Sequence, residues 1–314
     1  MAELHGSCHP AFNHVRELLQ QKIADGSEVG ASLCINIDGK NVLDLWGGYA
    51  DASLSQSKPW GKDTITGIWS CTKVATILAT YILVDRGLLD VNERVATYWP
   101  EFAANDEEKA AQKLAEQAPW FTLGSQPVYQ MTNYGLLIGL SEKDESRTAD
   151  TIPIPPETLP DTLGLDPTTD ILLRTNGASG GFSNTRALIS IASIISLNGT
   201  VDSTVDGKQF ITPQTIDAML KEQIRAPDPN LMGNARWSLG FALPASEGML
   251  PYIPEEDGIC YGSGYGGSMI IMDRRRRMTI TYIMNKMEFR IVANSRFDVY
   301  FPEIWKAYDD YRKS

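Results

Sequence analysis

The chain has 314 residues, of which 43% are hydrophobic and 21% are charged, and its formal net charge is −11. These fractions are typical of a soluble globular protein. Because nucleic-acid binding needs a basic surface that meets phosphate, the acidic balance argues against that role. The one basic run, Arg274 to Arg277, is short and lies between apolar stretches, so it is interpreted as a solvated turn.

The first six residues lack the charged start and apolar core of a secretory signal, and no apolar run is as long as a membrane span. We therefore expect a cytoplasmic protein that has no membrane partner. All three histidines lie before residue 15, and no CxxC or HExxH spacing occurs, so neither a metal site nor a cofactor is predicted. Reduced thiols are expected for the four scattered cysteines, which are Cys8, Cys34, Cys71 and Cys260.

The first predicted element is an amphipathic helix over Pro10–Ala24, in which apolar residues recur at helical spacing. Two strands follow over Ala31–Ile37 and Asn41–Trp46, joined by a hairpin turn. The strongest predicted helix runs from Ser70 to Arg86, because a broad apolar face ends at Gly87, a typical stop signal.

The second half of the chain alternates differently. Helices are predicted over 105–117, Thr185–Leu197, Thr212–Glu222 and Val292–Tyr311. Strands are predicted over Trp237–Leu243, Gly267–Met272 and Met278–Met284. Strands near both ends and helices between them predict an α+β protein, in which one antiparallel sheet is formed by both ends of the chain. The predicted domains are a discontinuous sheet domain, 1–66 and 235–314, and a mostly helical domain, 67–234, with the active site between them.

A serine and a lysine stand three residues apart at the start of the strongest helix, Ser70 and Lys73. Residues at this spacing share one face of a helix, so the amine can meet the hydroxyl. A serine needs an adjacent base to act as a nucleophile. A partly buried lysine can lose its proton near neutral pH and serve as that base. The helix start adds unpaired N–H groups and a positive dipole end.

The spacing alone does not decide the function of this pair. A second copy, Ser55 and Lys58, lies in a polar stretch before Pro59, where a loop gives it no fixed geometry. The structural alternative for Ser70 is a helix N-cap, with Lys73 simply solvated.

The surrounding sequence favours the catalytic interpretation. The segments TGIWSCTK (66–73), LVDRGLLDVNERV (83–95) and YWPEF (98–102) resemble the serine β-lactamase-related family. This family includes class C β-lactamases, D-amino-acid peptidases, β-lactamase-like esterases and the lovastatin-pathway acyltransferase. The resemblance implies a β-lactamase/transpeptidase-like fold with a reduced helical domain, and an acyl intermediate on Ser70 with Lys73 as its base.

The family's second motif is a tyrosine followed two residues later by asparagine or a variant. The segment VYQMTNYG (128–135) resembles the esterase type of this motif, so the tyrosine that moves protons is assigned to Tyr129. Met131 takes the place of the usual asparagine, which removes a hydrogen bond to the substrate. Tyr134 is the competing assignment, and its alternative role is an aromatic residue that packs under the site.

The third motif of the family is a Lys-Thr-Gly or His-Gly-Gly triplet on a strand, matched here by CYGSGYGGS (260–268). Ser263 takes the place of the lysine or histidine, so the usual positive or imidazole side chain is missing. By resemblance, the N–H groups of Gly266 and Ser70 form the oxyanion hole. The alternative is a glycine-rich strand or bulge without a catalytic role. An apolar, aromatic-lined cleft is expected from Tyr265, Trp69, Met131 and Trp120.

Two pieces of the family pattern are absent, one after Phe102 and one after Gly139. Their loss implies an open site for a bulky substrate, an inactive homologue, or an atypical gene model. The predicted function is a serine hydrolase or acyltransferase acting on an ester or thioester of a small, apolar metabolite. The alternatives are a non-hydrolytic isomerase or cyclase, a binding protein, and an inactive homologue. A small-molecule substrate is the one partner predicted, and the oligomeric state cannot be read from the sequence.

Overall fold

The computed structural model describes residues 3–50, 58–98, 127, 129, 178–201, 208–231 and 233–314. Its strands are β1 (Leu4–Cys8), β2 (Gly30–Ile37), β3 (Lys40–Gly48), β4 (Thr66–Gly67), β5 (Phe182–Ser183), β6 (Ile224–Asp228), β7 (Gly233–Trp237), β8 (Ala242–Leu243), β9 (Ile259–Ser263), β10 (Met269–Asp273) and β11 (Met278–Met284). Its α-helices are α1 (Asn13–Ala24), α2 (Thr72–Asp85), α3 (Val95–Tyr98), α4 (Thr185–Ser196), α5 (Pro213–Leu220) and α6 (Phe297–Tyr311). Single 3-10 turns, Pro10–Phe12 and Trp69–Cys71, precede α1 and α2.

One nine-stranded sheet has the order β1-β3-β2-β11-β10-β9-β8-β7-β6, and its neighbouring strands are antiparallel. The two ends of the chain meet where β2 pairs with β11, with Ala31 opposite Met284 and Ile37 opposite Met278. This confirms the predicted fold class. The sheet also includes β6 and β7, which begin before residue 235, where the second sheet segment was predicted to start. The division into two domains stays a prediction.

The sheet separates two cores. Successive residues of a strand face opposite sides, and β11 shows this directly: Tyr282 packs in the core that α1 and α6 cover, whereas Ile283 packs in the core that contains α2 and α4. Thr281 hydrogen-bonds through Oγ1 to the carbonyl of Thr185, at 3.1 Å, where α4 begins. The Cys71 thiol lies within hydrogen-bond distance of the carbonyls of Gly262 and Ser268, so the amino end of α2 lies against the same face of the sheet, close to β9 and β10.

The structure differs from the predicted elements in several places, of which two are explained by local sequence. The edge strand β1 was not predicted, because its mostly exposed, polar sequence has no strand-like alternation. The predicted strand Trp237–Leu243 is instead interrupted, because the Ser238 N–H turns back to the carbonyl of Phe241 at 3.0 Å. Gly240 makes this turn possible with a φ of 120°, a conformation that favours glycine. The predicted helix 105–117 lies outside the described residues.

In the part of the chain that the structure describes, no helix is long and apolar enough to cross a membrane.

Candidate active site

Ser70 lies in the 3-10 turn that leads directly into α2, as the sequence predicted. The turn is held from two sides: the Ile68 N–H donates to the carbonyl of Gly181 at 2.9 Å, and the Cys71 thiol donates to the carbonyl of Ser268 at 3.5 Å. Trp69 has a φ of 49°, which is uncommon for a bulky residue and typical of strained functional turns. Burial raises the pKa of the Cys71 thiol, so this neighbour is no competing nucleophile.

The side chain of Lys73 lies beside Ser70, and the residue is 8% exposed. Its Nζ donates to Ser70 Oγ at 3.1 Å and to the carbonyl of Ala178 at 2.9 Å. Burial lowers the pKa of Lys73 to about 8, and attraction from Cys71 opposes this shift. An amine with such a pKa, within hydrogen-bond distance of a serine hydroxyl, can accept its proton near neutral pH.

Tyr129 closes the same site from the other side. Lys73 Nζ lies 5.0 Å from the centre of its ring, and the ring stacks on Trp237 with centroids 5.7 Å apart and planes inclined by 11°. Burial raises the pKa of Tyr129 to about 12, while a hydrogen bond with Ser70 lowers it. Tyr129 is therefore a neutral phenol at pH 7 that can pass a proton to or from Ser70.

The structure brings Ser70, Lys73 and Tyr129 together, which is the set predicted from the sequence. The competing tyrosine, Tyr134, and the predicted site residue Met131 both lie outside the described residues. The two places where family segments are predicted to be absent, after Phe102 and after Gly139, lie outside them as well.

Ser263 is placed at the site, but its hydroxyl is used by the backbone. Its Oγ accepts from the Ala293 N–H at 2.9 Å and lies 3.3 Å from the carbonyl of Ser268 and 3.4 Å from that of Ile291, both as acceptors. Ser263 therefore fixes the loop that carries residues 291–293. These contacts are those of a neutral hydroxyl, so position 263 carries no positive charge.

Gly266 does not have the predicted contacts. Its N–H donates to the carbonyl of Arg290 at 2.9 Å, so this donor is already used and does not point free into the site. The prediction that Gly266 lines the oxyanion hole is therefore wrong in this structure. The backbone there adopts a φ of 85°, and an added Cβ would lie 2.6 Å from Met287 Cε. The glycine is thus explained by close packing of the turn. A role for the Ser70 N–H stays a prediction.

Tyr265 contributes an aromatic wall next to the nucleophile turn. Its ring meets the ring of Trp69 edge-on at 5.7 Å, and that of Phe289 at 6.2 Å. Such edge-to-face contacts are favourable arrangements of aromatic rings. Phe289, which is 81% exposed, extends this aromatic surface to solvent.

A cleft that encloses about 480 Å³, open solvent included, joins Ser70, Lys73, Tyr129 and Ser263. We call it the Ser70 cleft. Its apolar lining residues are Val74, Ile77, Leu231, Trp237, Phe241, Met249, Tyr261, Ile291 and Val292. Nothing in the sequence points to Leu231, Met249 and Ile291 as lining residues, because they lie in loops far from the motifs.

One glycine sets the width of the Ser70 cleft. At Gly262, an added Cβ would lie 2.5 Å from Val74 Cγ2, so only glycine lets β9 approach α2 this closely.

Among the described residues, no group of three or more His, Cys, Asp or Glu side chains could hold a metal ion.

Sequence comparison finds a family match that includes the Ser70 turn. Residues 15–111 match the family model described as Beta-lactamase. Esterase/beta-lactamase LipL of Mycobacterium tuberculosis (strain ATCC 25618 / H37Rv) is 41% identical over 100 residues, which are 32% of this chain and 23% of that protein. The matched segment is therefore less than a quarter of the length of this curated relative.

Solved structures extend the similarity to nearly the whole chain. A family VIII carboxylesterase superposes with a TM-score of 0.75 at 26% identity, over 97% of this chain and 100% of that one. A penicillin-binding protein homolog from Caulobacter crescentus gives a TM-score of 0.77 at 26% identity, with the same coverage. Simvastatin synthase of Aspergillus terreus, at 14% identity and a TM-score of 0.62 over 97% of this chain and 96% of that one, shares the fold.

Proposed function

We propose that this chain is a serine esterase or acyltransferase of the serine β-lactamase-related family, working through an acyl-Ser70 intermediate. The observation that carries the proposal is the 3.1 Å contact between Ser70 Oγ and Lys73 Nζ, an amine whose pKa burial lowers to about 8. Similarity to a carboxylesterase over nearly the whole chain supports the same class.

The reaction begins when neutral Lys73 takes the Ser70 proton as Oγ attacks the ester carbonyl. The resulting ammonium is held by the carbonyl of Ala178 and faces the ring of Tyr129. Tyr129, which lines the same cleft as Ser70, passes a proton to the leaving oxygen as the carbon–oxygen bond breaks. Lys73 then replaces the proton on the phenol. Water or an acceptor alcohol attacks the acyl-serine, and the same groups move the proton in the reverse direction.

The walls of the Ser70 cleft indicate the kind of acyl group. Apolar side chains surround the nucleophile, and burying an apolar chain among them is favourable by about 0.8 kcal/mol for each CH₂ group. Ser263 offers no positive charge, and its hydroxyl is used by the loop of residues 291–293. We therefore infer a neutral ester or thioester with an apolar acyl chain, in preference to a substrate that carries a carboxylate.

Alkyl fluorophosphonates test this proposal, since they phosphonylate activated serines. We expect wild type to be labelled once, and Ser70→Ala to lose the label. The matched control is Ser55→Ala, which removes the serine of the second Ser-x-x-Lys copy and should leave labelling unchanged. A long-chain probe should label faster than a short-chain one, by roughly fourfold for each added CH₂ up to the depth of the cleft.

Two outcomes contradict the proposal. Absence of labelling in intact, folded wild type favours a non-hydrolytic enzyme, a binding protein or an inactive homologue. Labelling that survives Ser70→Ala places the nucleophile elsewhere. Equal labelling rates for short and long probes would still be consistent with an acyl-Ser70 intermediate, but would contradict the proposed preference for an apolar acyl chain.

A further inference from the structure

The backbone of Tyr129 is held at both of its polar groups by one turn of the chain. Asp228 Oδ2 accepts from the Tyr129 N–H at 2.7 Å, and Asn230 Nδ2 donates to the Tyr129 carbonyl at 2.6 Å. These partners stand 99 and 101 residues further along the sequence, Asp228 as the last residue of β6 and Asn230 in the turn that leads to β7. Tyr129 therefore takes its position from the edge of the sheet.

The two oxygens of Asp228 have separate contacts. Oδ2 holds Tyr129, whereas Oδ1 accepts from the N–H groups of Asn230 at 2.9 Å and Leu231 at 3.1 Å. Asp228 is 1% exposed, so these N–H groups compensate a carboxylate that has been taken out of water. A charged acceptor makes stronger hydrogen bonds than a neutral one, which suits it for fixing the position of another segment.

The same hairpin also holds the tyrosine ring. Trp237 is the last residue of β7, and its indole stacks on the phenol ring with nearly parallel planes. Backbone and ring of Tyr129 are thus positioned by β6, β7 and their turn. The phenol lines the same cleft as Ser70, and its ring faces Lys73 Nζ.

We propose that Asp228 and Asn230 are positioning residues of the catalytic centre, which clamp the backbone of Tyr129 so that its hydroxyl meets Ser70. This inference rests on the proposed function, because it assigns the clamp a role in proton transfer by Tyr129. The edge hairpin β6–β7 is then part of the catalytic apparatus. A proton transfer depends steeply on distance, so a displacement of about 1 Å can lower the rate about 100-fold.

Asp228→Asn is the sharpest variant, because it keeps one acceptor oxygen and replaces the other by an amide donor. The two N–H groups of the turn favour the orientation in which the oxygen stays with Asn230 and Leu231. The amide NH₂ then faces the Tyr129 N–H, and the clamp is broken. We expect kcat on a p-nitrophenyl ester to fall about 10- to 100-fold with KM changed less than about threefold.

The pH profile separates positioning from simple destabilisation. Release of Tyr129 lets water reach Lys73, so the pH at which the rate is half-maximal should move above the value of about 8 set by burial. Cys71 raises the pKa of Lys73, and Cys71 and Asp228 both raise the pKa of Tyr129. Removal of the Asp228 charge would lower the pKa of Tyr129, so that change cannot produce an upward shift of the profile.

Three further variants complete the test. Asp25→Asn is the matched control, since exposed Asp25 Oδ1 accepts from the Ser27 N–H at 2.8 Å in a similar turn, at the end of α1; its kinetics should equal those of wild type. Asn230→Ala removes the other half of the clamp from an exposed position, and should also lower kcat. This variant carries the test if Asp228→Asn fails to fold. In a Tyr129→Phe background, Asp228→Asn should have little additional effect on kcat.

The clamp is contradicted if Asp228→Asn and Asn230→Ala lose activity only in proportion to unfolded protein, or if the effect of Asp228→Asn multiplies with that of Tyr129→Phe. Near-ultraviolet circular dichroism of the stacked Tyr129 and Trp237 rings distinguishes the two proposals. An inactive wild type whose ring signal is still lost in Asp228→Asn would refute the esterase and keep the clamp. An active wild type whose ring signal and kcat survive the substitution would refute the clamp alone.

Discussion

Lys73 and Arg296 are both cations with less than a tenth of their surface exposed, and they lie on opposite faces of the sheet. Arg296 Nη1 contacts Glu288 Oε1 at 2.6 Å, and its Nε lies 3.1 Å from Glu28 Oε2 in an ion pair that lacks hydrogen-bond geometry. Burial acts to lower the pKa of Arg296, but Tyr282 and Glu28 outweigh it, so the pKa rises. This charge is held permanently.

Around Lys73 the described contacts include a hydroxyl, a carbonyl and an aromatic ring, contributed by Ser70, Ala178 and Tyr129. Burial is the largest effect there, and it lowers the pKa to about 8. The proton on Lys73 is therefore held weakly enough to move near neutral pH. Where carboxylates lie beside a buried cation, as at Arg296, the cation keeps its positive charge. Where the effect of burial prevails, as at Lys73, it lowers the pKa of the amine and makes the group suitable for proton transfer.

The largest effect is expected when the amine is removed from the catalytic face of the sheet. We expect Lys73→Met to lower kcat/KM for an ester about 1,000-fold, because general-base catalysis contributes about 10²- to 10⁴-fold. The unfolding free energy should fall by less than about 1 kcal/mol, since the charged form is already disfavoured by burial. Steady-state kinetics and urea denaturation measure the two quantities.

Lys58→Met is the control for this prediction, because Lys58 is exposed and belongs to the second Ser-x-x-Lys copy. It should leave both quantities unchanged. Retention of more than a tenth of the activity by Lys73→Met would show that another group is the base.

The second substitution removes the structural cation instead. Arg296→Met leaves Glu28 buried without its positive partner, and we expect the unfolding free energy to fall by about 3–5 kcal/mol. The kcat of the molecules that stay folded should change less than about threefold, as Arg296 contacts no group of the Ser70 cleft that moves a proton.

A double variant sharpens that result. In Glu28→Gln the buried carboxylate is gone, so the further loss caused by Arg296→Met should be smaller than in wild type. Equal losses in the two backgrounds would show that the pair is not coupled. Urea denaturation at pH 7 measures both losses. Burial raises the pKa of Glu28 to about 6, which is still below pH 7, so the carboxyl group is largely ionised under these conditions.

How far the sequence predicts this molecule depends on where each contact originates. The Ser70–Lys73 pair follows from local helix geometry, so its place at the start of α2 and its contact could be predicted. The central hairpin β2–β3 and the pair β10–β11 could be predicted from alternating apolar residues and short turns. In each of these cases the signal lies within one short stretch of sequence.

The remainder depends on contacts between distant parts of the chain. Nothing near Tyr129 in the sequence points to Asp228, because the hydrogen bond spans 99 residues. Gly266 fits a family motif, yet its N–H is bound by Arg290, a residue in a loop that the motif does not include. Glu28 and Arg296 look like ordinary surface charges in the sequence, and only the fold buries them together.

The pH dependence of Ser70 phosphonylation tests the central contrast most directly. If neutral Lys73 is the base, the rate rises with pH about a half-maximal value near pH 8, and falls about tenfold for each pH unit below it. Labelling with a fluorophosphonate under single-turnover conditions measures this step without interference from deacylation. A half-maximal value near the ordinary lysine pKa of 10.5, or a rate independent of pH, would contradict the account.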